Sequence, residues 1–321
     1  MKRPILRALI CALLGSVQLA SASAQTFPTQ TIKLVVPYPP GVTPDITARV
    51  LAAKLGDVLG QAVIVDNRLG AGGTIGAAVV AKAPADGYTM LYAPSALLTM
   101  TPLMYKKLPY SNADLQPVSF IGYLGYLLVV NNDFPAANLK EFVDYVRAHP
   151  KGVRYASYGI GSGTHLSMEL FAKQAGLQME HIPYKSTPTT DVMSAQVQLM
   201  LEPYGGQALE VVKAGKLKAL GVTPRQRSPE WPNVPSMSEV APGYDVLGAL
   251  GIWLPAKTPT AIRQRYLEAL GKVMAMPEVK DRFRSLSIEP VNTGPAPMLK
   301  TIEKETALWS SLVKELDISL D

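Results

Sequence analysis

Two hydrophobic periods take turns along this chain. Short β-branched runs read as strands, and longer segments with apolar residues three and four apart read as helices. Ile32–Val36 is the first strand. Ile46, Val50, Leu51, Leu55, Val58 and Leu59 then share one face of a helix; Thr43 caps it and Pro44 opens it, where a missing N–H costs nothing. Val63–Val65 and Tyr88–Tyr92 are further strands, separated by the glycine-rich Gly70–Gly76 and a small-residue helix to Ala83. Asn138-Leu-Lys-Glu141 forms a capping box for a helix that stops at His149-Pro150. Beyond it lie strand Val153–Ser157, helix His165–Ala175 with Gly176 as its stop, strand Val197–Leu201, a helix over Ala208–Ala214 and strand Ala219–Thr223. Thr260–Met276, Glu278–Leu286 and Pro297–Leu316 carry helical spacing. Strands alternating with helices point to α/β layers.

Two apolar stretches, Val118–Asn131 and Tyr244–Leu254, are long for single strands and are interrupted by glycines such as Gly122 and Gly125. They read as the chain crossing from one lobe to another and back, with the glycines supplying hinge freedom. The competing reading is one continuous sheet with two long buried strands. A chain of 321 residues favours two domains. That divides it into a discontinuous first lobe, 25–123 with 248–321, and a second lobe, 124–247.

The N-terminus sets the compartment. Lys2, Arg3 and Arg7 precede an uncharged, largely apolar stretch from Ala8 to Ala20, and Ala22-Ser23-Ala24 supplies the small residues of a cleavage site. This is the pattern of a secretory signal peptide removed before Gln25, on a stretch shorter than the ~20 residues a spanning helix needs. The single cysteine, Cys11, falls inside the leader, so the exported chain is thiol-free. Cys11 lacks the leucine three residues earlier that a lipoprotein signal wants, so a soluble monomer in the periplasm is expected. Removing the leader lowers the net charge from +6 to +3. With no basic run longer than Lys106-Lys107, nothing suggests a nucleic-acid surface, and a mildly basic body modestly favours anionic solutes.

Candidate chemistry sits in loops. In Pro37-Tyr-Pro-Pro-Gly-Val-Thr-Pro-Asp45, the amides of Gly41, Val42 and Thr43 can converge on an anion ahead of a helix. Asp45 either stabilises that helix or faces a ligand amine or hydroxyl; an ordinary capped loop reads equally well. In Ser157-Tyr-Gly-Ile-Gly-Ser-Gly-Thr-His165, three glycines permit close backbone approach and Ser157, Ser162 and Thr164 add hydroxyls. This loop is neither a Gly-x-Ser-x-Gly elbow nor a P-loop. The stretch Asn67–Gly76 has Ile75 where a dinucleotide fingerprint wants glycine, so tight packing is its favoured role. The three histidines, His149, His165 and His181, lack metal-ligand spacing, and no metal or cofactor is expected. Tyr38, Tyr158, Tyr184 and Tyr204 lie in or beside loops, where an apolar ring with a polar tip suits a half-wet cleft.

An ordered series of motifs then points to one family. It includes Ile-Lys-Leu-Val-Val-Pro37, Pro-Gly-x-x-x-Asp45-Ile-x-Ala-Arg49, Gly-Gln-x-Val-Ile-Val-Asp-Asn-Arg68, Gly-Ala-Gly-Gly-Thr-Ile-Gly76, Ala-Asp-Gly-Tyr-Thr89 and His-Ile-Pro-Tyr-Lys185. On these the chain resembles the Bug-type receptors of tripartite tricarboxylate transporters over nearly all of its exported length. The resemblance implies a two-lobed periplasmic-binding-protein fold (type II-like), each lobe a mixed sheet flanked by helices. A small carboxylate, di-, tri- or aromatic, would lie between the lobes, held by backbone amides and hydroxyls and delivered to membrane permease subunits, with no catalysis. Its implied contacts are Tyr38, Gly41, Val42, Thr43, Asp45 and Ser95 from the first lobe. From the second come Ser157, Gly161, Ser162, Gly163, Thr164, Tyr184 and Glu202. The chain departs from the family pattern at Val42 and Ser186, where glycine is usual, and at Gly163, where a hydroxyl is frequent. Val42 narrows the pocket or changes its backbone angle. Glu202 repels a second carboxylate unless it is protonated or turned away, and otherwise favours a hydroxyl or amide. Two further readings are a secreted serine-type hydrolase and a ligand sensor for a membrane kinase.

Overall fold

The computed structural model describes residues 27–184, 186–204, 207–228 and 231–320. The expected leader, the expected cleavage site and Lys185 lie outside the described residues. The chain builds two mixed sheets. In the first, β1 (Ile32–Val36) runs parallel to β2 (Val63–Asn67) and β3 (Thr89–Pro94). Completing it, β10 (Gly248–Pro255) lies antiparallel between β3 and β4 (Leu115–Leu124), and β11 (Ile288–Pro290) closes the edge. In the second, β6 (Arg154–Ser157) runs parallel to β7 (Glu180–Pro183) and β8 (Leu199–Pro203). Next to β8, β5 (Tyr126–Asn131) lies antiparallel between it and the edge strand β9 (Leu217–Val222).

Strand alternation sends successive side chains to opposite faces, and both faces are covered. In β1, Leu34 packs towards Leu51 and Leu55 of α1 (Thr43–Leu59) and Tyr266 of α9 (Thr260–Ala275). Its neighbour Val35 packs towards Ala77 and Val80 of α2 (Thr74–Ala81). In β5, Leu128 and Val130 meet Phe142 of α5 (Leu139–Ala148) and Phe171 of α6 (Gly163–Ala175), while Leu127 and Val129 face Val192 of α7 (Thr189–Met193). Truncating such a fully buried leucine to alanine costs about 2–5 kcal/mol. The remaining helices are the short α3 (Ala96–Thr99) and α4 (Thr101–Met104), α8 (Gln207–Lys213), α10 (Pro277–Ser285) and α11 (Pro295–Glu315).

The start of α1 differs from expectation. Val42, not Thr43, occupies its cap position and supplies no side-chain acceptor, and Thr43 and Pro44 are the first helical residues. The Thr43 hydroxyl is diverted elsewhere, as described below. Asn138 caps α5 as expected, its side chain accepting the Glu141 N–H at 3.0 Å, but the return bond of a capping box is displaced by one residue, Glu141 accepting the Ala137 N–H at 2.7 Å.

The chain passes between the sheets at Gly125 and returns ahead of β10. Gly122 and Gly125 were expected to confer freedom, yet neither adopts a left-handed φ. A Cβ on Gly125 would lie 2.7 Å from Pro224 and 2.9 Å from the Tyr204 ring, and one on Gly122 2.5 Å from Ile288. Close approach, not flexibility, demands glycine there. Thr223 links the two crossing segments: Tyr126 N–H donates to its hydroxyl (2.8 Å), its N–H donates back to the Tyr126 carbonyl (3.0 Å), and Val246 N–H donates to its carbonyl (3.2 Å). Beside them Met100, Met104 and the α11 residues Trp309, Leu312 and Val313 join the core under the second sheet.

Candidate functional site

The parallel strands β1 and β3 of the first sheet, and β6, β7 and β8 of the second, end where α/β sheets place ligands, at carboxyl ends. The loop after β1 turns through Gly41, which is left-handed at φ 85°. Asp45 is buried beneath it. Its carboxylate accepts the Gly41 N–H (2.8 Å), the Asn67 amide (2.9 Å) and both Arg49 contacts (3.0 and 2.9 Å). Asn67 also donates to the carbonyl of the partly exposed Tyr38 (3.0 Å). Burial alone would raise the Asp45 carboxyl; the bonds from Arg49, Gly41 and Asn67 and the Arg49 charge outweigh it and hold the group below its ordinary range. Asp45 therefore points into the loop as a brace, and Gly41 has no amide to give an anion. The amides of Val42 and Thr43 donate to no group among the described residues. The first turn of α2 presses on this loop: a Cβ on Gly76 would sit 2.8 Å from Pro37 Cβ.

The loop after β6 uses the same register with different chemistry. The Gly161 N–H (φ 76°) donates to His165 Nδ1 at 3.0 Å, which places the His165 proton on Nε2. Ser162 caps α6 by accepting the His165 N–H (3.2 Å), and Thr164 Oγ1 accepts the Tyr158 N–H (3.3 Å). The His165 ring stacks on His181 with centroids 3.9 Å apart, and His181 stacks on Tyr155 at 4.9 Å. Burial, and for His165 also the neighbouring imidazole, pushes His165 down to about 3; burial pushes His181 down to about 4. Both rings are neutral at ordinary pH. The amides of Gly163 and Thr164, in the first turn of α6, donate to no described group.

Ser157 Oγ lies 2.6 Å from His181 Nε2, a serine–histidine contact that the hydrolase reading requires. Ser157 is, however, 0 % exposed, and its oxygen also accepts the Gly159 N–H at 3.1 Å. No carboxylate orients His181 among the described residues. The pair braces the loop.

One hydrogen bond joins the two sets of loops: Thr43 Oγ1 donates to the Tyr204 carbonyl at 3.2 Å. Two residues earlier, at the end of β8, Glu202 is 3 % exposed and accepts the Tyr158 O–H at 2.7 Å. Burial pushes Glu202 up to about 7, which the Tyr158 bond only partly offsets. Tyr184 donates to Asp191 (2.8 Å) and so is tied to α7. Ser95 donates to Glu305 of α11 (2.7 Å), on the wall of a cavity of about 50 Å³ that Tyr126, Asp245 and Trp309 also line.

A family model described as the tripartite tricarboxylate transporter family receptor matches residues 47–318. The chain belongs to this family. The receptor is 33% identical to BugT of Bordetella pertussis over 94% of both chains. It is 34% identical to the UPF0065 protein of the tcbD-tcbE intergenic region of Pseudomonas sp. strain P51, over 90% of this chain and 87% of that one. Among solved structures, Rpa4515 of R. palustris with adipate matches at TM-score 0.85 and 31% identity, over 91% of this chain and 99% of that one. The periplasmic binding protein BugD matches at 0.82 and 30%, with the same coverage. MatC of Rhodopseudomonas palustris with bound malate matches at 0.81 and 28%, over 89% and 100%. The two-sheet α/β architecture is thus that of periplasmic solute-binding proteins, and the receptor's relatives are binding proteins, not enzymes.

Within the receptor, Val42, Thr43, Gly163 and Thr164 combine loop position with uncommitted amides, whereas Asp45, Ser157 and Tyr184 are occupied by neighbours. Sequence reading passed over Glu305, His181, Arg49 and Asn67 as members of this machinery. Glu305 had a signal: it falls between Ile302 and Trp309 on the apolar stripe of α11, where an acid is out of place. The His165–His181 stack had none, because the two residues meet only through β6–β7 pairing.

Proposed function

We propose that this receptor is exported with cleavage before Gln25 and captures a small carboxylate between two lobes, 25–123 with 248–321 and 124–247. The ligand passes unaltered to membrane permease subunits. The observation that carries the reading is the pair of helix starts, at Val42–Thr43 and Gly163–Thr164, each with two uncommitted amides, on loops linked by the Thr43–Tyr204 bond. Such amides favour a carboxylate, and helix dipoles add to the preference. The adipate and malate bound to its structural relatives are of this class. Neutral histidines and hydroxyls around the second loop suit recognition by hydrogen bonds in place of a cationic clamp.

Calorimetry against mono-, di-, tri- and aromatic carboxylates, with adipate and malate included, tests it. A cognate ligand at about 100 times its Kd stabilises the fold by roughly 2.7 kcal/mol, and is recovered unchanged. Steady consumption of ligand by the purified protein would instead establish an enzyme.

A further inference from the structure

Glu202 is more deeply placed than a solvated acid and less completely bonded than a structural one. It is the penultimate residue of β8, where register pairs it with apolar Leu127 of β5. On the other side, β6 stops pairing with β8 at Ala156 opposite Met200, so Glu202 meets the loop after β6 through Tyr158. One carboxyl oxygen, Oε2, accepts the Tyr158 O–H at 2.7 Å. The other has no hydrogen-bond partner, and the group takes part in no ion pair, among the described residues. That oxygen is not among the fully enclosed unpaired atoms, so it stays open to a donor brought by a ligand. Tyr158 also donates its N–H to Thr164, whose own amide is one of the uncommitted four. One residue thus spans from the anion-binding helix start to the acid.

We propose that Glu202 reads the far end of the ligand and selects a hydrogen-bond donor there, an amide, hydroxyl or ammonium, in place of a second carboxylate. The proposal deepens the carboxylate-receptor reading and rests on it. One end of the ligand satisfies the helix-start amides, and a donor at the other satisfies the open oxygen of Glu202. A diacid would bring two carboxyl groups together in a buried site, where one of them must carry a proton. Sites built to pair a specific donor reject analogues lacking it by large factors, because buried groups are left unpaired.

The test compares matched ligands by calorimetry at about pH 8, above the ordinary carboxyl range. Succinate is set against its monoamide, and adipate against its monoamide and 6-aminohexanoate. The wild-type protein is expected to bind a donor-bearing member at least about tenfold tighter than its diacid. In Glu202→Gln, whose side chain offers an N–H, the preference should reverse towards the diacid. The wild-type comparison stands even if that variant folds poorly. Diacids binding as tightly as their monoamides, or an unchanged ratio in folded Glu202→Gln, would overturn the assignment of Glu202 and leave the receptor reading intact. If no carboxylate of either series or of the wider panel binds, both fall.

Discussion

Gly41 and Gly161 each fold a backbone N–H onto the side chain four residues ahead, but the acceptor is the ionised carboxylate of Asp45 in one loop and the neutral imidazole of His165 in the other. The first brace is ionic, closed by Arg49 and Asn67. The second is a stack of uncharged rings, Tyr155–His181–His165, with hydroxyl caps. Past the brace, the first loop leaves the amides of Val42 and Thr43 uncommitted; in the second the Ser162 N–H turns back to the Gly159 carbonyl (3.1 Å), and those of Gly163 and Thr164 are left. The difference teaches that an anion-receiving helix start can be shaped either by a charge that is fully neutralised nearby or by no charge at all. Neither brace carries a net charge of its own.

The sharpest way to break the comparison is one substitution placed in both loops. Each glycine is left-handed, so valine costs about 1–2 kcal/mol of backbone strain at either. A Cβ at 161 additionally meets Met104 Sδ at 2.6 Å, whereas at 41 nothing lies within 4 Å. Gly161→Val should weaken carboxylate binding beyond about 100-fold and Gly41→Val by about tenfold, with both variants folded by circular dichroism. Equal losses would mean that packing around the second loop is irrelevant.

Acid separates the braces next. His165 and His181 titrate near 6.5 when unfolded and near 3 and 4 in the fold, so the unfolded chain takes up protons first and stability falls as pH drops through 6.5 towards 4. Asp45 is depressed below 3.8, so its contribution persists until pH falls below that value. Hydrogen exchange should show Gly161 losing on the order of 2 kcal/mol of protection between about pH 7 and 5, while Gly41 keeps its own. Glu202 and Glu305 run the other way. Raised from 4.5 to about 7, they stabilise the fold fully at low pH and lose that contribution as pH rises through 7. Global stability therefore changes less than the second loop, and an unchanged Gly161 amide would refute the neutral brace.

Much of this was legible in the chain. Alternating strands and helices, the Asn138 helix cap and the two glycine loops follow from local propensity and period. Short elements such as β11 and α7 escaped because three to five residues carry no period. The roles of Asp45 and Thr43 escaped for a different reason. Local spacing offered Thr43 as a cap, but Tyr204, 161 residues on, supplied a better-placed acceptor. Glu202 was picked out by position, and the bond from Tyr158 that leaves one oxygen open is a tertiary fact.

Smaller effects grade the ionic loop. Asp45→Ala leaves the Gly41 N–H without an acceptor and takes one of its two from the Asn67 amide, and should cost about 2 kcal/mol in urea unfolding. Ser162→Ala removes the α6 cap and should cost about 1 kcal/mol. Arg49→Lys, at a half-exposed guanidinium, should cost under about 0.5 kcal/mol. A larger loss for Arg49→Lys than for Ser162→Ala would show that the bidentate geometry, not the charge, holds the first loop.

The most direct measurement is amide NMR of the ¹⁵N-labelled protein titrated with the tightest carboxylate from the calorimetric panel. The amide protons of Val42, Thr43, Gly163 and Thr164 should move downfield together and saturate at one equivalent, while Gly41 and Gly161, already bonded to Asp45 and His165, move least. Saturable binding that leaves those four amides in place and shifts another region of the molecule would contradict the two-loop site outright.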